Sequence, residues 1–86
     1  MTSYEYEVEK RWLMTDQGQR DFLKVRDHVQ RLLDEGGAFM MQHAWKPITG
    51  SSWHMLACVD RLVELGEIRE LTDDEVAGQH RVFVAA

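Results

Sequence analysis

Hydrophobic positions in this chain recur first at a helical period and then, near the end, at every second residue. Between Asp16 and Gly36, the residues Phe22, Val25, Val29 and Leu32 fall on one stripe, with Leu33 beside it, so a helix with one core-facing side is expected. Thr15 or Asp16 offers a side-chain oxygen to the free amides of its first turn, and Gly36-Gly37 ends it. Arg20, Asp21, Lys24, Asp27, Gln30, Arg31 and Asp34 lie off the stripe and read as a solvated face. Gly37-Ala38-Phe39 allows a very short strand, and a second helix is expected over Met40–Trp45, stopped by Lys46-Pro47. Met40 and Met41 are adjacent, so only one of them can face inward.

A turn at Ile48-Thr49-Gly50 leads to a third helix, expected from about Ser51 to Leu65 and closed by Gly66. At 100° per residue, Ser52, Leu56, Val59 and Val63 share one face, flanked by Trp53, Met55 and Leu62, and this face is assigned to the core. Ser51, His54, Ala57, Cys58 and Arg61 then occupy the outward face. Glu67–Leu71 and His80–Ala85 read as two strands of a hairpin, with Val82 and Val84 on one side and Phe83 on the other. The polar turn between them carries Asp73, Asp74 and Glu75.

The first fifteen residues support two patterns at once. Tyr4-Glu5-Tyr6-Glu7-Val8-Glu9 alternates as a half-exposed strand does, while Tyr4, Val8 and Trp12 recur at i, i+4 and i+8 as on a helix. The segment is either an extension packed on the domain or a dimerisation arm presenting aromatic residues.

The run Val59-Asp60-Arg61-Leu62-Val63-Glu64-Leu65-Gly66-Glu67-Ile68-Arg69 resembles the passage from recognition helix to wing in winged-helix regulators, including MarR-like ones. The resemblance covers roughly residues 16–86. It implies an α+β winged helix-turn-helix with three helices and a two-stranded antiparallel wing, preceded by the N-terminal extension 1–15. The wing tip departs from the pattern, because the turn at 73–75 is acidic where DNA-binding wings are usually basic.

Composition narrows the function classes. Eighty-six residues make one domain, and a formal net charge of −5 disfavours strong non-specific binding to nucleic acid. The charge is unevenly placed, however. Residues 36–59 contain no Asp or Glu, where about four would be expected at the chain's average. Acids are thus kept off the part that would meet phosphates. No apolar run approaches the roughly 18 residues of a membrane span, and no signal peptide is expected. The single cysteine suits a reducing cytoplasm.

In a helix-turn-helix, the start of the last helix enters the major groove. Ser51, Ser52, His54, Cys58 and Arg61 are therefore the candidate DNA contacts, with His43, Lys46 and Thr49 positioning them on phosphates. His54 and Cys58 are four apart, but no further ligand lies at motif spacing, so no metal is expected. No phosphate loop, nucleophile elbow or paired-carboxylate cleft is present, so neither enzyme chemistry nor a cofactor is expected. The leading expectation is a small cytoplasmic transcriptional regulator that binds double-stranded DNA, as a homodimer. The alternative is a winged helix that binds a protein partner through its acidic wing or N-terminal segment.

Overall fold

The computed structural model describes residues 4–44, 52–72 and 80–86. Their elements follow as α1 (Tyr6–Leu13), α2 (Asp16–Gly36), β1 (Ala38–Met40), α3 (Met41–Ala44), α4 (Ser52–Glu64), β2 (Ile68–Glu70) and β3 (Val82–Ala85). The chain is thus an α+β fold of four described helices and one antiparallel sheet in the order β1-β3-β2.

α2 forms where its local signals place it. The Thr15 hydroxyl accepts from the amide of Gly18 at the N-cap, and Gly37 takes the left-handed φ of 77° at the C-cap while its amide bonds back to Leu33. Phe22, Val25 and Val29 are buried along the expected stripe. Leu32 and Leu33 pack at its edge. Asp21 departs from the expected solvated face: it is buried and accepts a hydrogen bond from Gln17 Nε2 at 2.9 Å. At the start of α3, Met41 is fully buried and Met40 half-exposed, as adjacent positions require.

The sheet has three strands where a two-stranded wing was expected. β3 is its centre, pairing Phe83 with Phe39 of β1 and Val84 with Arg69 of β2. Phe39 and Phe83 point inward and stack, with ring centroids 5.2 Å apart. The short Gly37-Ala38-Phe39 stretch becomes a strand because β3 alternates over four residues and offers a second edge, a partner that lies more than forty positions away.

Of the two patterns open for the N-terminal segment the helical one holds, though not with the expected stripe, and the expected phase of α4 is overturned. The N-terminal segment is helical over Tyr6–Leu13, and Val8, placed on its apolar stripe, is 55% exposed. The buried residue is Leu13, which joins the common core. More consequentially, α4 is rotated relative to the expected phase. Its buried residues are Met55, Ala57, Cys58, Val59 and Leu62, whereas Leu56 and Val63 are only half-buried and Ser52 is exposed. The reason is that α4 is covered on two sides. One side meets α2, α3 and β2, and the other meets α1.

The corner between α1 and α2 is tight. A Cβ on Gly18 would stand 2.1 Å from the Trp12 carbonyl oxygen and 2.7 Å from Leu13 Cα, so only glycine fits there without displacing backbone. Thr15 Oγ1 donates to the same Trp12 carbonyl at 2.6 Å, and Gln19 Nε2 donates to the Leu13 carbonyl at 2.6 Å. These bonds occupy carbonyls at the C-terminal end of α1 that have no helical partner.

Candidate functional site

The candidate site is the side of α4 that carries His54, Cys58 and Arg61, one stripe at i, i+4 and i+7. In this structure α1 lies along it. The Trp12 and His54 rings stack with centroids 3.8 Å apart and planes 3° from parallel. His54 Nε2 is 3.7 Å from the Glu9 carboxylate. Arg61 donates to Glu64, which also accepts from Tyr6 Oη at 2.9 Å and from Lys10 Nζ at 2.8 Å. Between His54 and Arg61, Cys58 is fully buried, as is Ala57 beside it. Both were expected on an open, outward face, and this is corrected: both belong to the common core, with Asp21 of α2 beside Cys58, and neither can touch a ligand in this fold.

The charges of this contact neutralise one another. Glu64 gathers three donors, and the Lys10 bond, followed by those from Arg61 and Tyr6, draws its carboxyl down to about 2. The Tyr6 phenol is pushed up, first by burial and then by its bond to Glu64. Burial and the neighbouring Asp21 raise the Cys58 thiol to about 12, so it is an unreactive core group here.

A second polar cluster borders the first. Tyr4 Oη donates to Asp60 at 2.6 Å. Asp60 also accepts from Arg81 at 2.8 Å, and Arg81 reaches Glu70 at 2.7 and 2.9 Å. Thr72 Oγ1 completes the set by donating to Glu70 at 2.6 Å. The Arg81 guanidinium lies 5.1 Å from the centre of the Phe83 ring. This cluster ties the segment before α1 to α4 and to both strands of the β2–β3 pair. It joins residues far apart in the chain, and no short-range pattern announces it.

The remaining predicted contacts are dispersed. Ser52 is exposed at the first turn of α4. His43 is exposed at the end of α3, and its carbonyl accepts from His28 Nε2 at 2.8 Å. His43 also borders a shallow depression lined by Ala38, Phe39, Met40 and Val82. Lys46, Thr49 and Ser51, together with Trp45, Ile48 and the acidic turn Asp73-Asp74-Glu75, lie outside the described residues. Among the described residues, no three His, Cys, Asp or Glu side chains come together as a metal site, and no helix is long and apolar enough to cross a membrane.

Comparison with protein-family models, with curated proteins and with solved structures found no match.

Proposed function

We propose that residues 16–86 form a winged helix-turn-helix that binds double-stranded DNA and serves in transcription regulation, with the N-terminal half of α4 as the reading element. The observation that carries this reading is connectivity. The path α2-β1-α3-α4-β2-β3, with the sheet ordered β1-β3-β2, sets a short helix and a longer one in succession beside a hairpin. That is the arrangement in which a last helix is presented to a major groove. The distribution of acids adds support, since α3 and α4 up to Val59 have none. In this reading Ser52, His54 and Arg61 contact bases or phosphates. His43, Lys46 and Thr49 anchor the flanking backbone, and the free amides at the start of α4 favour a phosphate.

A second reading is favoured by the burial of Ala57 and Cys58 and by the engagement of His54 and Arg61 with α1. If that face is permanently closed, the module binds a protein partner through the acidic turn at 73–75 or the outer side of α1.

The test is selection of duplexes from random DNA at low salt, followed by a salt series on the best sequence. The DNA reading expects modest affinity that falls as salt rises. Replacing Asp73, Asp74 and Glu75 by neutral residues should strengthen it, most at low salt, because three charges that repel phosphates are gone. Under the protein reading the same variant loses a partner and gains no DNA affinity. Selection that enriches no sequence overturns the DNA reading.

A further inference from the structure

We propose that this chain pairs with a second copy of itself by exchanging α1: the bend at Thr15 straightens, α1 and α2 run on as one helix, and each α1 docks on α4 of the other copy. The pairing is independent of what else the domain binds.

One residue separates the bent form from the straight one. Met14 lies in the right-handed helical region, with φ −82° and ψ −2°. Thr15 leaves it, with φ −80° and ψ 163°, and Asp16 already belongs to α2. Turning the Thr15 ψ into the helical range, with a small adjustment at Met14, joins the two helices. No proline or glycine stands between Trp12 and Gln17 to stop the helix. The hydrogen bonds balance as well. In the bent form the Trp12 carbonyl accepts from the amide and hydroxyl of Thr15 at 3.0 and 2.6 Å, and the Leu13 carbonyl accepts from Gln19 Nε2 at 2.6 Å. In the straight form the same carbonyls accept from the amides of Asp16 and Gln17, four residues on.

A straight helix from Tyr6 to Gly36 is roughly 46 Å long, against a longest dimension of 31 Å for the domain. Its first turns therefore stand clear of their own α4. What they need is specific: Asp60 for Tyr4, Glu64 for Tyr6 and Lys10, the His54 ring for Trp12, and the core for Leu13. A second copy offers every one of these groups, so exchange loses none of the α1 contacts. Short connections between docked elements favour this kind of exchange.

Gly18 sets the balance between the forms. In the bent form a Cβ there would stand 2.1 Å from the Trp12 carbonyl oxygen, so the corner admits only glycine. In the straight form position 18 is a helix interior, where alanine is favoured over glycine about fivefold. Glycine thus holds the chain to the single-copy form, and a side chain there favours exchange. A proline at position 16 acts the opposite way. Asp16 opens α2, a position that suits proline, and Thr15 before it has the extended conformation proline requires. Within the straight helix the same proline removes the bond to the Trp12 carbonyl and collides with it.

The test compares full-length wild type with Gly18→Ala, Thr15→Ala and Asp16→Pro by sedimentation equilibrium over a concentration series. At each corner Gly18→Ala favours the straight helix about fivefold and the collision disfavours the bent form about as much again; with two corners per dimer, Kd should fall on the order of a thousandfold. Thr15→Ala removes the N-cap of the bent form, about fivefold per corner, and should lower Kd roughly twenty-five-fold. Asp16→Pro should stay folded and lose self-association. In an equal mixture of ¹³C-labelled and unlabelled Gly18→Ala chains refolded together, isotope-filtered NMR should place the Trp12 ring of one copy against the His54 ring of the other.

Alanine variants that associate no more than wild type overturn the exchange. So does a dimer of equal strength in all four proteins, or one in which the Trp12–His54 contact lies within each chain. If Gly18→Ala does not fold, Thr15→Ala takes its place in both measurements and is judged by the same outcomes.

Discussion

The two sides of α4 are held by different mixtures of contact. Toward α2 and the sheet, Met55, Val59 and Leu62 meet Val25, Val29, Ile68 and Phe83 within one apolar cluster. Toward α1, two tyrosines, a lysine, a glutamate and a tryptophan meet Asp60, Glu64 and His54 through hydrogen bonds and one ring stack, while Tyr4, Tyr6 and Trp12 also pack against the apolar core. The first kind of contact gains free energy in proportion to apolar area removed from water and has no replacement in solvent. The second exchanges protein partners for water at small net gain per bond. The α2 side is therefore held mainly by apolar burial, and the α1 side by polar bonds added to the packing of Tyr4, Tyr6, Trp12 and Leu13 on the core.

The largest expected effect tests the apolar side. Leu62→Ala removes a fully buried side chain between α4 and the rest of the core and should cost about 2–5 kcal/mol, read by chemical denaturation. A loss below 1 kcal/mol would mean that the two sides are not unequal in the way described.

Arg81→Met sharpens the comparison from the polar side. It leaves Asp60 and Glu70, each with only a small part of its side chain exposed, without their shared cation. The expected loss is about 2–3 kcal/mol, below the roughly 3–5 kcal/mol of a fully buried pair broken on one side. Tyr4 loses its anchor only indirectly, so the α1 contact should survive in part.

Gly18→Ala tests the corner. Alanine normally stabilises a helix by about 1 kcal/mol relative to glycine, but here its Cβ collides with the Trp12 carbonyl. A net loss of about 1–2 kcal/mol is expected from the forced backbone shift. A gain in stability would show that the corner yields freely.

The smallest effect is that of acid on the α1 contact. Glu64 has its carboxyl lowered to about 2 in the folded chain, chiefly by Lys10, so its contribution is present above its ordinary value of 4.5 and is lost as pH falls from there through about 2. Glu70 is lowered in the same sense, chiefly by its bond from Arg81, so the neighbouring cluster also weakens as acid protonates that carboxylate. The His54 and Trp12 ring signals in an NMR titration should lose their stacking shifts in that window before the Phe39 and Phe83 signals change. Simultaneous loss of both would contradict separate opening of the α1 side.

The parts of this architecture legible in the sequence are those set by local chemistry. α2 runs from its threonine cap to its glycine stop as expected, and Gly66, with φ of 76°, closes α4. Phe83 faces in and Val82 and Val84 face the other way because alternation has only two outcomes. The α4 phase differs from the expected one because phase is inferred by assuming one wet side. Leu56 and Val63 are as apolar as Val59, so the stripe could be drawn through either set once Ala57 and Cys58 were taken as outward. Their burial follows from covering on more than one side, with Asp21 of α2 beside Cys58 and α1, ambiguous in sequence, along the helix. One local signal could have favoured the helix for α1: Glu7 and Glu9 lie in its first turn and Lys10 and Arg11 in its last, the order a helix dipole prefers. The Tyr4–Asp60–Arg81–Glu70 cluster had no such signal, since its members gain meaning only once the fold brings them together.

The bond from Tyr4 to Asp60 joins positions 56 apart, and that from Tyr6 to Glu64 positions 58 apart. A chain made from its N-terminus therefore produces α1 before α4, on which these bonds depend. Until α4 is made, Tyr4, Tyr6 and Trp12 lack that surface, on a segment too short to hold its own helix. The contact of α1 with α4 thus waits for residues made some fifty positions later, and whatever meets the nascent chain before then meets those aromatics uncovered.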